Sequence, residues 1–265
     1  MKLSDAISIL KSAKIENPRH DARELFIHVG KMTLTELLAE DASCSSEKLC
    51  EAVERRRRRE PLQYIIGSVG FYRETYKVTP DCLIPRQETE HLVDYAVKNL
   101  KKGSRFLDLC TGSGCVAIST LKNTSDTLAV AVDISEPALD VARQNADLNG
   151  VSDRIDFICA DVLSSSYDNE FHAVLANPPY VTERDYENLA PEIYFEPKLA
   201  FVGKDNGLEF YKKILSVYHP TEFFAFEIGF DQGEAIVSLA TEQNLRCEIT
   251  KDYSGNDRLA VIKPR

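Results

Sequence analysis

The sequence predicts an α/β chain. Its core is a seven-stranded, mostly parallel sheet with an antiparallel C-terminal hairpin, preceded by a small N-terminal helical bundle and a linking β-hairpin. Three observations carry this reading. From Arg105 onward short apolar runs alternate with helical stretches, the pattern of βαβ units with right-handed crossovers and helices on both faces of the sheet. The first of those runs leads into a glycine-containing loop, DLCTGSGC (Asp108 to Cys115), that opens a helix. Residues 1–66, by contrast, show only helix-type apolar spacing.

Each element follows in order. In residues 1–66 helix starts are read at Ser4 before AISIL, Asn17-Pro18 before ARELFIHVG, Thr33 before ELLAE and Ser46 before KLCEAV, because these residue types satisfy the unpaired N–H groups of a first turn. Residues 67–80 hold GSVGFYRETYKVT, whose aromatic and β-branched content suits a short hairpin linking two domains. Residues 81–265 form the larger domain, starting with the loop DCLIPRQETE and a helix to about Lys101. Strands are then expected at RFLDL, LAVAVD, IDFICAD, HAVLA and FFAFEI, with helices from Gly114, over SEPALDVARQNADLNG and from about Gln232. The last two strands, LRCEITKDY and RLAVIKP, are separated only by SGND and should pair antiparallel at one edge.

Composition narrows the function classes. With 265 residues and 43% apolar content the chain can bury one large core and one small one. The N-terminus MKLSDAISILKSAKIENPRHD has no clean apolar stretch and no run of 18 apolar residues occurs, so neither export nor a membrane span is expected and the reading is cytoplasmic. Seven cysteines without a CxxC pair or a Cys/His cluster suit free thiols, with no metal site. The net charge of −10 is uneven: residues 1–66 hold 12 Lys and Arg against 11 Asp and Glu, leaving 20 against 31 for the remainder. An acidic larger part disfavours a broad footprint on nucleic acid. The run Arg55 to Arg59 reads first as a solvated last helical turn that complements the helix dipole, with a local basic patch as the alternative.

The loop after the first strand places Gly112 and Gly114 for a tight turn and close approach of backbone to ligand, with Ala117 where a dinucleotide fingerprint has its third glycine. This alone admits several kinds of nucleotide binder. Asp133, ending the second strand, is placed to accept hydrogen bonds from both ribose hydroxyls of an adenosine-type ligand without a 2′-phosphate. Asp161, in ICAD, faces an adenine edge or is an ordinary strand-end cap. NPPY (Asn177 to Tyr180) must end the fourth strand, since two prolines cannot continue a ladder and Pro178 restricts Asn177 to extended backbone. It offers two acceptors, the Asn177 side-chain oxygen and the Pro178 carbonyl, beside the aromatic face of Tyr180. Those suit a planar NH₂ group. The five histidines are isolated, and no GxSxG, P-loop or HExxH occurs.

In their order and spacing DLCTGSG, AVD and NPPY resemble a class I S-adenosylmethionine-dependent methyltransferase, a Rossmann-like fold, and NPPY resembles the signature of enzymes that methylate planar amino nitrogens. Two targets remain at that point, a nucleobase or a side-chain amide. The flanks REPLQYIIG, LIPRQETE, FEPKLAFVG, EIGFDQGEA and DYSGNDR resemble the HemK/PrmC family of protein N5-glutamine methyltransferases, which modify the glutamine of the GGQ tripeptide in peptide chain release factors. The likeness runs from about Arg57 to Lys263; the first 55 residues match only as a helical domain. It implies S-adenosylmethionine as cofactor, held by Asp108, Cys110, Thr111, Gly112, Ser113, Gly114, Asp133, Asp161, Val162 and Asn177. It also implies a substrate glutamine held by Asn177, Pro178, Pro179 and Tyr180, with Asn177, Pro178 and Tyr180 catalytic. Class I release factors are then the protein substrate, recruited by the helical domain to a monomeric enzyme that forms no stable nucleic-acid complex. Cys110 stands where many members carry glycine, and Val162 where some carry a bulky aromatic. The rival, an adenine or guanine amino methyltransferase, would use the same NPPY but needs base flipping and a phosphate-binding surface, against which the acidic charge argues.

Overall fold

Residues 1–39, 42–167 and 170–265 are described by the structure, a computed structural model. The chain divides into two compact units, Met1–Ser68 with Ala190–Phe195, and Val69–Leu189 with Glu196–Arg265. No helix among the described residues is long and apolar enough to cross a membrane.

The first unit consists of α1 (Leu3–Ser12), α2 (Pro18–His28), α3 (Leu34–Leu37), α4 (Glu47–Arg57) and α5 (Leu62–Ile66), packed around Leu10, Leu25, Phe26 and Leu49. Thr33 and Ser46 cap as their residue types suggest: the Thr33 hydroxyl accepts from Glu36 N at 3.3 Å while the Glu36 carboxylate takes Thr33 N at 2.8 Å, and Ser46 accepts from Leu49 N. Glu40, the last residue of ELLAE, lies outside the described residues. Ser4 is not a cap. Leu3 N already donates to Ala42 O at 2.9 Å, so α1 begins before Ser4. The expected solvated turn at Arg55 to Arg59 is also different in kind. Arg56 is buried, with Asp21 at 2.7 Å and Glu192 at 3.1 Å, and Arg59 reaches the other Glu192 oxygen at 2.8 Å. Arg55 pairs with Glu60 and both Arg57 and Arg58 with Glu54, so the run is a cross-linked knot within its unit rather than a bare basic patch.

In the second unit the hairpin β1 (Ser68–Phe71) and β2 (Glu74–Lys77) contributes Phe71 and Tyr76 to a core, and the Tyr76 hydroxyl lies 2.6 Å from that of Ser119. The main elements follow: α6 (Glu90–Asn99), β3 (Arg105–Leu109), α7 (Cys115–Lys122), β4 (Leu128–Asp133), α8 (Glu136–Asn149), β5 (Ile155–Cys159) and β6 (Ala173–Ala176). After them come α9 (Glu183–Tyr186), α10 (Glu209–Val217), β7 (Phe223–Glu227), α11 (Gly233–Glu242), β8 (Leu245–Lys251) and β9 (Asp257–Pro264). The seven-stranded sheet has the order β5-β4-β3-β6-β7-β9-β8, parallel from β5 to β7 and antiparallel at β7–β9 and β9–β8. α10 is a helix that the sequence reading leaves out, and it lies in the crossover that a parallel β6–β7 pair requires. β5 stops at Cys159, so Asp161 lies just beyond the strand rather than ending it.

This topology fixes where a ligand can sit. β4 lies on one side of β3 and β6 on the other, so the chain reverses its direction of travel across the sheet at β3, and a crevice opens beyond the carboxyl ends there. The register aligns Leu109 with Val132 on β4 and with Ala176 on β6, which brings Cys110, Asp133 and Asn177, the residues next in sequence, to one edge.

Candidate active site

Three alternate left-handed positions shape the loop after β3. Cys110 has φ +61°, Gly112 +55° and Gly114 +81°. The region favours glycine, so Cys110 sits where a side chain costs on the order of 1–2 kcal/mol. A Cβ on Gly114 would stand 2.8 Å from Ile118 Cδ1 and 3.1 Å from Ala142 Cβ, so this glycine serves the packing of α7 on α8. Asp133 binds the loop from the neighbouring strand: its Oδ2 accepts from Gly112 N at 2.8 Å and its Oδ1 from Ser135 N at 3.0 Å. Burial pushes its carboxyl above the usual range while those N–H groups oppose the shift.

A cavity of about 220 Å³ opens beside this loop. Cys110, Gly112, Asp133, Asp161, Val162 and Asn177 of the expected cofactor residues line it, as does Pro179. A smaller one of about 30 Å³ shares the Cys110, Gly112 and Asn177 walls and adds Asp108, Thr111, Ser113, Arg86 and Thr89. Asp108 is placed otherwise than expected. Its side chain is buried, and its Oδ2 accepts from the Thr111 hydroxyl at 2.6 Å and from Ala117 N at 3.2 Å, so it ties the loop to α7 instead of facing the larger cavity. Burial raises its carboxyl to about 7. Thr111 is likewise committed to Asp108, and Ser113 is buried with its carbonyl taken by Asn145 at 2.9 Å. These residues, with Gly114, shape the loop that the others line.

NPPY is held from all sides by the segments that flank it in motif. Pro178 and Pro179 are buried. The Asn177 Nδ2 donates to Thr89 Oγ1 at 3.1 Å, Thr89 Oγ1 donates to Glu227 Oε2 at 2.6 Å, and the Tyr180 hydroxyl donates to Glu227 Oε1 at 3.0 Å. Tyr180 thus turns its phenol into the protein, and its aromatic face, expected beside a planar NH₂ group, does not line the larger cavity. Glu227 is fully buried and its carboxyl is raised by that burial, against which the Thr89 and Tyr180 bonds and the Arg258 charge act. Arg258 is itself paired with Asp252 at 3.3 Å. Gln232 Nε2 donates to Tyr180 O and to Asn206 O, both at 3.2 Å. Glu196 accepts from Ile84 N at 2.9 Å and pairs with Arg86.

Thr89, Glu227, Gln232 and Arg258 are functional candidates that the sequence reading includes within the flanking motifs LIPRQETE, EIGFDQGEA and DYSGNDR but gives no individual role. Glu227 also carries a local signal, as a carboxylate closing an otherwise apolar strand, FFAFE, at the carboxyl edge where ligands bind. The chemistry available is an edge of fixed acceptors and buried carboxylates beside a mostly apolar cavity. It can orient a neutral N–H donor and hold a nucleoside; the Cys110 thiol also lines it, and burial raises that thiol well above its usual value, which disfavours the reactive thiolate.

Comparison with known proteins agrees with this geometry. Residues 88–196 match the model of the methyltransferase small domain and residues 2–67 that of the PrmC N-terminal domain. A release factor glutamine methyltransferase of Thermodesulfovibrio yellowstonii is 36% identical over 256 residues, covering 92% of this chain and 91% of the relative. One from Staphylococcus aureus is 31% identical, covering 99% and 98%. Among solved structures, the hMettl16 catalytic domain is 13% identical and covers 84% of each chain with a TM-score of 0.58, a likeness of fold.

Proposed function

This chain belongs to the release factor glutamine methyltransferase family, and on that premise we propose that it transfers a methyl group from S-adenosylmethionine to the side-chain amide nitrogen of the glutamine in the GGQ tripeptide of peptide chain release factors. The observation that carries the mechanism is the commitment of the Asn177 NH₂ to Thr89, which turns the Asn177 oxygen into the acceptor left for a substrate.

The cavity suits the cofactor. An ionised carboxylate has about four lone-pair sites; backbone N–H groups of Gly112 and Ser135 occupy part of that capacity on Asp133, and the remainder suits ribose hydroxyls. Val162, buried in the cavity wall, offers an apolar surface for a base, with Asp161 beside it. S-adenosylmethionine, when bound, supplies an electrophilic sulfonium methyl group.

An amide nitrogen is a poor nucleophile because its lone pair is delocalised into the carbonyl, and it does not lose a proton near neutral pH. Positioning therefore does most of the catalytic work. The Asn177 oxygen and the Pro178 carbonyl each accept one N–H of the glutamine amide, orient its nitrogen and stabilise the positive charge that develops there. Preorganised acceptors of this kind contribute on the order of 3 kcal/mol each to lowering the barrier. Tyr180 assists from behind by fixing the backbone of NPPY through Glu227. The proton leaves to water after transfer, so no strong general base is required.

The helical unit takes part in recruiting the protein substrate, with the exposed Arg57 and Arg58 of its Arg55 to Arg59 turn available on its surface beside Glu54. The test of the reaction is incubation with methyl-labelled S-adenosylmethionine and either a release factor or DNA. Label on the release factor glutamine, located by tandem mass spectrometry, is the expected result; label on DNA alone would overturn the proposal.

A further inference from the structure

Asn177 can serve as an acceptor in only one of its two amide orientations. Oxygen and NH₂ are nearly equal in size, and a half-turn of the side-chain amide would present two N–H donors to a substrate that itself donates. Some group must therefore tell the two ends apart. The structure supplies it at Thr89, whose hydroxyl lies 3.1 Å from Asn177 Nδ2 and 2.6 Å from Glu227 Oε2. A hydroxyl has a single proton. An ionised Glu227 accepts only, and its other oxygen is already taken by the Tyr180 hydroxyl, so the Thr89 proton goes to Glu227 and the Thr89 lone pair faces Asn177. That lone pair accepts N–H and repels a carbonyl oxygen.

Thr89 has no competing duty of the usual kind. It stands at the start of α6, where a threonine hydroxyl commonly caps the first turn, yet it makes no capping bond to that helix. It is 2% exposed and Glu227 3%, so the chain runs through the interior, where an unmade bond is costly. Burial raises the Glu227 carboxyl, and the two hydroxyls aimed at its oxygens, with the charge of Arg258 behind them, oppose that shift and favour the acceptor-only form.

We infer that Thr89 is a positioning residue for methyl transfer: by the directed sequence Asn177 Nδ2–H to Thr89 Oγ1–H to Glu227 Oε2, it locks the Asn177 carbonyl toward the substrate amide. The inference rests on the reading of Asn177 as a substrate acceptor. Thr89 touches neither substrate nor cofactor in this account; it acts through Asn177 alone.

The experiment is a cycle of Thr89→Val, Asn177→Ala and the double variant, with Thr89→Ser as the conservative substitution, each assayed for single-turnover methylation of a release factor, cofactor affinity by calorimetry and thermal midpoint. Thr89→Val should lower the methyl-transfer rate on the order of tenfold to a hundredfold, the scale of a small misplacement of a catalytic group, with cofactor affinity nearly unchanged. Thr89→Ser, which keeps the hydroxyl, should recover most of the rate. On the Asn177→Ala background Thr89→Val should cost nothing further, because the two act as a unit. An equal loss on both backgrounds would overturn the inference and leave Thr89 as a tie between α6 and β7. Should Thr89→Val not fold, Thr89→Ala runs through the same cycle with less added bulk. If Asn177→Ala is slow but Thr89→Val is not, only this inference fails; if Asn177→Ala itself turns over normally, the acceptor reading fails with it.

Discussion

Gly203→Ala perturbs NPPY from behind without touching substrate. Gly203 does not occupy the left-handed region, so alanine there carries no backbone penalty, yet its Cβ would stand 2.3 Å from Pro179 O and 3.2 Å from Pro179 C. Real Cβ contacts essentially never fall under 3.0 Å, so the two atoms must part by at least about 0.7 Å. The Gly203 side has little freedom to take this up, because Gly203 N donates to Val181 O at 3.0 Å and Val181 N to Phe201 O at 2.8 Å, tying the two segments together. The displacement is shared between the two segments and so reaches the loop that carries the Pro178 carbonyl. Overpacking of this kind costs about 1–3 kcal/mol of stability, and misplacing an acceptor by up to ~1 Å costs up to about a hundredfold in rate. Urea unfolding gives the first quantity and methylation of a release factor under saturating cofactor gives the second. A folded Gly203→Ala enzyme with wild-type kcat would refute the idea that the placement of NPPY limits the reaction.

Asp133→Ala should weaken cofactor binding by roughly 1.5–3 kcal/mol, read by calorimetry, since it removes a charged acceptor; unchanged affinity would mean that the ribose is held elsewhere. Tyr180→Phe should lower stability by about 1–3 kcal/mol because it strips a donor from the buried Glu227 carboxylate, and an unaltered urea midpoint would contradict this. Asp108 gives a pH dependence: its carboxyl is raised from 3.8 to about 7 in the fold, so between those values the folded chain keeps a proton that the unfolded chain has released. Stability from this group is present below that window and lost as pH rises through it. Asp108→Asn should flatten that slope, and identical pH profiles for the two proteins would exclude the role.

The parallel strands were legible because helices cover both faces of the sheet and leave near-continuous apolar runs; β6 and β7 are buried throughout. NPPY was legible as a strand end because proline chemistry is local. What escaped was set by partners far away in sequence. Ser4 carries a start signal, but the helix is started by Ala42 O, a distant carbonyl. Arg56 reads as one of five solvated arginines until Asp21 and Glu192 meet it. α10 carries an apolar face at Tyr211, Ile214 and Leu215, yet its N-cap position is Leu208, which has no side-chain cap to offer, after Asn206 at φ +56°, so nothing announces its start. At the site, Asp108 shows in the sequence as a strand-end carboxylate like Asp133, and only the loop geometry reveals that one faces α7 and the other the cavity. Thr89, Asn177 and Glu227 lie in three separate motifs, which supported a family likeness without showing that they form one hydrogen-bonded chain.

The central claim is that the Asn177 side-chain oxygen positions the substrate amide, its NH₂ being held by Thr89. Asn177→Ala deletes one acceptor at the carboxyl edge of β6, outside the strand itself. The measurement is single-turnover methylation of a release factor by this variant, alongside its cofactor affinity and urea midpoint. The account predicts a rate lower by about 10²-fold or more, the scale of one preorganised electrostatic contact, with affinity and midpoint close to wild type. Near-normal turnover would contradict it and leave NPPY as only a stiff end to a strand.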